Sequence, residues 1–131
     1  MQAAGRILII DDEPRLRSLY ARLLGLEGYT VRTAGAGAEG LRLLAEGDFD
    51  LVLTDVRLPD VNGVALAQTI RTHYPQTEVI VVTAYGAIAD GVQAIKNGAS
   101  DYLTKGDSDD QIIARVAAAL DKAALRRKLA R

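Results

Sequence analysis

The stretch Ile7-Leu8-Ile9-Ile10-Asp11-Asp12-Glu13 decides the fold class, because a wholly apolar run ends abruptly in three acidic residues. A short continuous run of aliphatic residues is typical of a strand that is buried on both faces of a parallel sheet. Two further runs have the same character, Leu51-Val52-Leu53 and Val79-Ile80-Val81-Val82. We therefore predict three central strands at these positions.

Two weaker segments predict the edges of the same sheet, because residues 30–33 alternate polar and apolar side chains and residues 101–104 are short and mixed. Helical spacing of apolar residues fills the gaps between strands, and Gly25 and Gly28 are expected to close the first helix. Five strands alternating with five helices indicate right-handed crossovers and helices on both faces of a parallel sheet. The first, third and fourth strands are predicted to be central and the second and fifth to be edges. The predicted fold is therefore an α/β, doubly wound, five-stranded sheet in the flavodoxin-like order 2-1-3-4-5.

Length and composition limit the class of protein. The 131 residues suit one domain, and 49% hydrophobic with 25% charged residues is ordinary for a globular protein. Cysteine is absent, which excludes disulfides and thiolate metal sites and fits a cytoplasmic location. No apolar run is long enough for a membrane span, and the net charge of −1 argues against non-specific nucleic-acid binding. We expect a domain over residues 1–121 and a helical extension toward a linker over residues 122–131.

Polar side chains follow four of the five predicted strands. Asp11 and Asp12 follow the first strand, Asp55 ends the third, Thr83 the fourth and Lys105 the fifth. In a sheet of this kind ligands bind at the carboxyl ends of the strands, near the switch in strand order. We therefore expect these five side chains on one rim.

Three neighbouring carboxylates repel one another, each pair by about 4 kcal/mol at a 4 Å separation and an effective dielectric of 20. Hard oxygen ligands without His or Cys favour Mg²⁺, with Asp12 and Asp55 as direct ligands and Asp11 acting through water. A nucleophilic carboxylate beside a metal, with Lys105 and Thr83 to bind phosphoryl oxygens, predicts a phosphoryl-transfer site.

Four motifs resemble the receiver domains of bacterial response regulators in two-component signalling, and the similarity extends from about residue 6 to residue 120. They are Ile9-Ile10-Asp11-Asp12-Glu13, Thr54-Asp55-Val56-Arg57-Leu58-Pro59-Asp60, Thr83-Ala84-Tyr85-Gly86 and Gly98-Ala99-Ser100-Asp101-Tyr102-Leu103-Thr104-Lys105. The last two motifs are most similar to receivers of sigma-54-dependent, nitrogen-regulatory-type activators.

The resemblance implies a regulatory phosphoacceptor rather than an enzyme. Asp55 would be phosphorylated by a sensor histidine kinase or a phosphotransfer protein, with Mg²⁺ held by Asp12, Asp55 and the backbone carbonyl of Arg57. Thr83 and Tyr102 would be the switch hydroxyl and the switch aromatic residue. The state would pass through the fourth helix, fifth strand and fifth helix to a homodimer or an effector that regulates transcription.

Two glycines depart from expectation. Family members usually carry a proline with a cis bond after the lysine, whereas this chain has Gly106. A cis bond before a non-proline residue costs about 3–4 kcal/mol, so we predict a trans bond, an altered path over residues 106–110 and a less secure reach of Lys105. Gly91 interrupts the fourth helix, where glycine costs about 1 kcal/mol relative to alanine. Our hypothesis is that this helix is marginally stable and mobile.

Other signals are weaker. Residues 35–40 read G-x-G-x-x-G but follow an edge strand and lack the later acidic residue, so a flexible turn is favoured over a dinucleotide site. His73 is interpreted as a surface residue, and the basic residues 126–131 as a solvated helix end. Two rival functions stay open: a Mg²⁺-dependent phosphatase, which would need an acid where Arg57 stands, and a degenerate receiver that only binds proteins.

Overall fold

The structure, a computed structural model, describes residues 5–84 and 87–130, in which five strands alternate with five helices. The strands are β1 (Arg6–Ile10), β2 (Thr30–Ala34), β3 (Leu51–Asp55), β4 (Glu78–Thr83) and β5 (Asp101–Thr104). The helices are α1 (Pro14–Leu26), α2 (Gly37–Glu46), α3 (Gly63–His73), α4 (Ile88–Lys96) and α5 (Asp109–Leu129).

The sheet has the predicted order, β2-β1-β3-β4-β5, and every pairing is parallel. Because of this parallel register, the last residues of the central strands lie side by side: Ile10 pairs with Thr54, and Asp55 with Val82. Thr83 at the end of β4 pairs with Thr104 at the end of β5. The carboxyl ends of four strands therefore meet at one rim, as the sequence predicted.

Strand residues alternate between two apolar cores, one on each face of the sheet. Val79 and Val81 pack in the core covered by α2, α3 and α4, whereas Ile80 and Val82 pack in the core under α1 and α5. All four are at most 2% exposed. Burial on both faces explains why β1, β3 and β4 read as continuous apolar runs rather than as alternating ones.

The first helix starts and ends for local reasons. Pro14 occupies its first turn, where the missing N–H is not needed. Gly28 closes the helix with a φ of 95°, a conformation that L side chains rarely adopt. Gly25 lies in the last turn of α1 with open space around its position, and its carbonyl accepts from Gly28 N–H at 3.0 Å.

The far end of α5 is bound to the sheet by two arginines. Arg126 Nε lies 2.5 Å from Glu78 Oε2, and Arg127 pairs with Asp50 just before β3. Arg71 of α3 approaches the same Glu78 carboxylate at 3.7 Å. We call these residues the basal ion cluster, because they lie at the edge of the sheet opposite the rim.

The basal ion cluster changes the interpretation of the C-terminal basic residues, since Arg126 and Arg127 bind carboxylates rather than ending in solvent alone. α5 continues without a break from Asp109 past residue 121 to Leu129. It is the longest helix, yet none of the helices within the described residues has the length and apolar character that a membrane crossing requires.

Candidate functional site

An acidic cluster occupies the rim where the strands end. One carboxylate oxygen from each of Asp11, Asp12 and Asp55 lies within 4.8 Å of the other two. Asp11 and Asp55 are buried, whereas Asp12 is exposed at the mouth of the cluster. The structure thus brings together the three acids that the sequence singled out.

The electrostatics of the cluster favour a bound cation. Burial raises the pKa of Asp11, and the neighbouring charges of Asp55 and Asp12 raise it further. The hydrogen bond that Asp11 Oδ1 accepts from Glu13 N–H at 2.8 Å lowers this pKa, but the net shift is upward. A carboxyl group that resists ionisation in this way gains from a positive partner. Three carboxylates with no His or Cys form a donor set that suits Mg²⁺, so the residues present fit the expected metal.

Asp55 is held from two sides. Lys105 Nζ donates to Asp55 Oδ2 at 3.1 Å, and the backbone N–H of Arg57 donates to Asp55 Oδ1 at 3.3 Å. The carboxylate side chain is only 5% exposed. Burial lowers the pKa of Lys105, but the hydrogen bond and the charge of Asp55 outweigh burial and leave that pKa raised. The ammonium group therefore stays charged at the acidic cluster.

Arg57 lies beside the cluster at the start of an exposed loop. The loop closes on itself through an antiparallel bridge between Arg57 and Asn62. Together with its N–H contact to Asp55, this bridge keeps the Arg57 backbone next to the acids. The Arg57 carbonyl remains the predicted third protein ligand.

Thr83 and Tyr102 lie on the adjacent strands β4 and β5. Thr83 is fully buried, and its hydroxyl donates to the Leu103 carbonyl at 3.3 Å rather than to a carboxylate. Tyr102 is partly exposed in β5 and packs against Gly91 of α4. The motif that contains Thr83 continues into Tyr85 and Gly86, which lie outside the described residues.

The segment after β5 confirms the predicted trans bond, since no peptide bond within the described residues is cis. Lys105 N–H donates to the Thr83 carbonyl at 2.9 Å, which continues the pairing of β5 with β4 by one residue. Lys105 Nζ reaches Asp55 directly, and its reach to a phosphoryl group on Asp55 stays a prediction.

Sequence reasoning missed Asn62 and Gly63, which place α3 against the site. Asn62 Oδ1 caps α3 by accepting from Val64 N–H at 2.7 Å. A Cβ at Gly63 would lie 2.0 Å from the Asp55 carbonyl oxygen, so only glycine fits there. The signal was available as an Asn-Gly pair after Pro59-Asp60, a pattern typical of a turn followed by a helix start.

The glycine-rich stretch 35–40 is not a flexible turn throughout, because α2 starts at Gly37, and the first residues of this helix bind a side chain of this chain. Asp60 accepts hydrogen bonds from Gly37 N–H at 2.8 Å and Ala38 N–H at 2.9 Å. The Ala38 and Gly37 amides lower the pKa of Asp60. A Cβ at Gly37 would lie 2.3 Å from Val61, and one at Gly40 2.4 Å from Ile10. Close packing explains these two glycines, and a carboxylate occupies the anion position of the helix N-terminus.

His73 lies at the surface, as the sequence predicted. It is exposed at the end of α3, and its Nδ1 lies 2.9 Å from the Thr69 carbonyl oxygen. Within residues 5–84 and 87–130, no hydrogen bond joins His73 to the rim.

Comparison with known proteins identifies the family. Residues 7–117 match the model described as "Response regulator receiver domain". Response regulator protein PilR of Pseudomonas aeruginosa is 47% identical over 100 residues, which are 76% of this chain and 22% of PilR. A crystal structure of NtrX from Brucella abortus has a TM-score of 0.92 at 32% identity, over 98% of this chain and 30% of NtrX.

The chain belongs to the response regulator receiver domain family. The solution structure of the beryllofluoride-activated NtrC4 receiver domain dimer is also similar, with a TM-score of 0.84 at 32% identity over 90% of this chain and 98% of that one. Relatives of this kind confirm the expected similarity to receivers of sigma-54-dependent activators. The chain spans 22% of PilR and 45% of the transcriptional regulatory protein TcrA of Mycobacterium tuberculosis, so it matches only part of their length.

Proposed function

We propose that this receiver is a phosphorylation-dependent switch in which Asp55 accepts a phosphoryl group in a Mg²⁺-dependent reaction. The observation that carries the proposal is the position of Asp55, which lies within 4.8 Å of two further carboxylates and 3.1 Å from Lys105 Nζ. A carboxylate nucleophile, a cation site and a fixed ammonium group are the parts that phosphoryl transfer requires.

Asp12 and Asp55 would bind the metal directly, Asp11 through water and Arg57 through its carbonyl oxygen. When bound, Mg²⁺ neutralises charge on the transferring phosphoryl group and leaves coordination positions for its oxygens. Asp11 also has a second task, because its Oδ1 fixes the Glu13 amide and with it the start of α1. Burial of Asp11 and Asp55 keeps both carboxylates in place.

The covalent step uses the phosphohistidine of a sensor histidine kinase or a phosphotransfer protein as donor. An Asp55 carboxylate oxygen attacks phosphorus, the P–N bond breaks, and its electron pair leaves with the histidine nitrogen. Lys105 exchanges its contact with Asp55 for one with a phosphoryl oxygen and stabilises the transferred charge. The same chemistry proceeds with small acyl phosphates, in which a P–O bond breaks instead.

Hydrolysis resets the switch. A water oxygen attacks phosphorus, the bond between phosphorus and the Asp55 oxygen breaks, and inorganic phosphate leaves as the carboxylate reforms. No side chain acid stands two residues after Asp55, since that position is Arg57. The acid that would drive turnover in a phosphatase is thus missing, and we propose that hydrolysis here is self-catalysed and regulatory.

The output would start at Thr83. Its hydroxyl now donates to the Leu103 carbonyl, and a phosphoryl oxygen on Asp55 offers a stronger, charged acceptor. A movement of Thr83 toward Asp55 frees space near β5, into which Tyr102 moves. The signal thus passes to the face formed by α4, β5 and α5.

The proposed output face has the character of an interaction surface. Ile88, Val92 and Ile95 on α4 are 61%, 44% and 45% exposed, and they recur at helical spacing. On the other two elements of this face, Arg115 of α5 and Asp101 of β5 form a partly exposed ion pair at 2.7 Å. We propose that this face binds a second copy of the chain or an effector that regulates transcription. In this proposal the chain acts in the cytoplasm and contacts neither nucleic acid nor a membrane directly. Residues 1–121 would form the receiver and 122–131 its extension.

Intact mass spectrometry tests the phosphoacceptor. After incubation with Mg²⁺ and acetyl phosphate, we expect a single phosphoryl adduct on the unsubstituted chain and none on Asp55→Asn. Asp48→Asn is the matched control, because Asp48 is an exposed aspartate outside the cluster, and it should form the adduct normally. Retention of the adduct in Asp55→Asn would falsify the assignment.

Sedimentation with and without beryllofluoride then tests dimerisation, and an unchanged molecular mass in solution would rule out the homodimer.

Two rivals have distinct outcomes. A phosphatase would hydrolyse p-nitrophenyl phosphate through many turnovers, whereas a switch should leave this generic ester intact and carry at most one phosphoryl group per chain at a time. A degenerate receiver would form no adduct even when Mg²⁺ binding is measured directly. The contact between Lys105 and Asp55 favours the active switch over the degenerate one.

A further inference from the structure

Asp107 closes a four-residue turn at the end of β5. Its Oδ2 accepts from Thr104 N–H and its Oδ1 from the Thr104 hydroxyl, both at 2.9 Å. Asp107 N–H in turn donates to the Thr104 carbonyl at 3.0 Å. Three hydrogen bonds between the same two residues thus bracket Lys105 and Gly106. We call this set the Thr104–Asp107 clamp.

The clamp fixes the backbone from which the Lys105 side chain extends. On one side, Lys105 N–H is bound to the Thr83 carbonyl at 2.9 Å. On the other side, the carboxylate of Asp107 prevents the turn from opening. With both sides held, the flexible Lys105 side chain places Nζ 3.1 Å from Asp55 Oδ2.

A clamp is needed here because Gly106 follows the lysine. Glycine has the greatest backbone freedom of any residue, so this turn loses more entropy on ordering than one with a proline. A charged acceptor with two donors offsets such a loss, since hydrogen bonds to ionised groups are stronger than neutral ones.

The clamp has no part in starting α5. That helix begins with its own capping box, in which the Ser108 hydroxyl accepts from Gln111 N–H at 3.2 Å and the Gln111 side chain accepts from Ser108 N–H at 3.1 Å. Helix capping therefore does not explain the carboxylate at position 107. The residue held by the clamp that has chemistry to perform is Lys105.

We infer that Asp107 is a positioning residue for Lys105, which replaces by side-chain hydrogen bonds the restraint that proline gives elsewhere. The inference rests on the proposed function, because Lys105 matters only if Asp55 receives a phosphoryl group.

A double-mutant cycle on the full chain tests the role. With acetyl phosphate and saturating Mg²⁺, Asp107→Ala should slow adduct formation about tenfold, because a small misplacement of a catalytic group is enough for such a loss. Lys105→Ala should slow it further. Adding Asp107→Ala to Lys105→Ala should then change nothing, since Asp107 acts through the lysine. A tenfold loss in the Lys105→Ala background as well would show a general structural role and overturn the inference.

Three companion variants sharpen the cycle. Thr104→Val removes the hydroxyl donor and should slow adduct formation, whereas Thr104→Ser keeps the hydroxyl and should restore the rate. Asp110→Ala removes an exposed charge from the first turn of α5 and should leave the rate unchanged. Equal slowing by Asp110→Ala and Asp107→Ala would mean that charge alone matters, which contradicts the clamp.

The proposed function of Asp55 and the positioning role of Asp107 are contradicted by different results. No adduct on the unsubstituted chain would overturn the proposed function and this role with it. An adduct at the same rate in Asp107→Ala would overturn the role alone. Amide hydrogen exchange adds a readout without phosphorylation: exchange at Thr104 should accelerate in Asp107→Ala, and unchanged exchange there would contradict the clamp.

Discussion

Gly91 of α4 lies directly against the ring of Tyr102 in β5: a Cβ at position 91 would be 2.4 Å from Tyr102 Cγ and 2.5 and 2.7 Å from the two Cδ atoms. Real Cβ atoms do not approach an aromatic ring so closely. The glycine that interrupts α4 therefore has a packing reason, and it lets the predicted switch aromatic residue lie on the helix backbone. Anything that moves Tyr102 changes the contact between α4 and β5.

The effect of Gly91→Ala on the free energy of unfolding should change sign when Tyr102 is replaced by alanine. In the unsubstituted background the new methyl group displaces the Tyr102 ring, and we expect a loss of about 1 to 3 kcal/mol in the free energy of unfolding. In a Tyr102→Ala background the ring is gone, and the same change should stabilise the protein by up to about 1 kcal/mol through helix propensity. Urea unfolding of the four proteins measures both values.

The sign reversal is the decisive outcome. If Gly91→Ala stabilises both backgrounds, the ring moves away freely and the contact does not restrain Tyr102. If it destabilises both, something other than the ring opposes a side chain at position 91.

The mobility of α4 stays a prediction with a separate measurement. The helix has nine residues, and Ala87 at its N-cap gives no side-chain hydrogen bond. The N-cap of α1 also lacks a side-chain hydrogen bond, so the two helices differ in length, and we expect faster amide exchange in the shorter α4 than in the 13-residue α1. Exchange in α4 that is no faster than in α1 counts against a mobile helix.

Gly63→Ala should be among the most destabilising single changes in this chain. Its Cβ would overlap the Asp55 carbonyl oxygen at 2.0 Å and the Val56 Cα at 2.8 Å, and both belong to the backbone. We expect a loss of at least about 3 kcal/mol in thermal or urea unfolding. Gly25→Ala is the matched control, because Gly25 lies inside α1 with nothing within 4 Å, and it should stabilise by about 0.5 to 1 kcal/mol.

The raised pKa of Tyr20 predicts that the protein loses stability at alkaline pH. Burial and the nearby charges of Asp11 and Asp55 raise the pKa of Tyr20 to about 12 from 10.0. The folded state thus keeps a proton that the unfolded state releases, so this stabilisation is complete below pH 10 and is lost as pH rises from 10 to 12. Two pKa units correspond to roughly 2 to 3 kcal/mol.

Tyr20→Phe removes the titrating group, so its free energy of unfolding should fall less steeply between pH 10 and 12 than that of the unsubstituted chain. Urea unfolding over this range measures the difference between the two slopes. Parallel curves would show that Tyr20 ionises in the folded protein as readily as in the unfolded one.

Glu78→Gln should destabilise the basal ion cluster. Glu78 is 1% exposed, and its Oε2 pairs with Arg126 as an ion pair rather than a hydrogen bond. Loss of the charge leaves Arg71 without its carboxylate at a side chain that is 15% exposed. We expect the free energy of unfolding to fall by about 2 to 3 kcal/mol, because Arg71 loses its buried partner. The loss is no larger because the half-exposed Arg126 regains solvent.

The exposed pair of Glu46 and Arg42 supplies the control for Glu78. Both side chains are 59% exposed and lie four residues apart on α2. Glu46→Gln should change the free energy of unfolding by less than about 0.5 kcal/mol, because water screens such pairs. Equal losses for the two substitutions would mean that burial does not strengthen the basal ion cluster.

Strand positions, strand order and the acidic cluster could be predicted from the sequence. Burial on both faces gives β1, β3 and β4 a continuous apolar pattern, and parallel register brings Asp11, Asp12 and Asp55 to one rim by geometry alone. Local chemistry, namely burial pattern and charge repulsion, was enough for these conclusions.

Contacts between residues far apart in the chain could not be predicted. The need for glycine at position 91 depends on where Tyr102 lies, and the role of Asp60 depends on amides 22 and 23 residues away. The clamp is a different case, because Thr104 and Asp107 are only three residues apart. The sequence carried a signal for it, because short Asp side chains often bind backbone a few residues away.

The anchoring of α5 at both ends has a mechanical consequence. At one end the capping box at Ser108 directly follows the clamp around Lys105, and at the other Arg126 and Arg127 bind the opposite edge of the sheet. A helix that is capped at its start and bound to the sheet near its end cannot take up a displacement by fraying. A shift of the Lys105 turn should therefore tilt α5 as a stiff rod that pivots on its arginines, with the largest travel beside Asp55 and the smallest at Arg126 and Arg127.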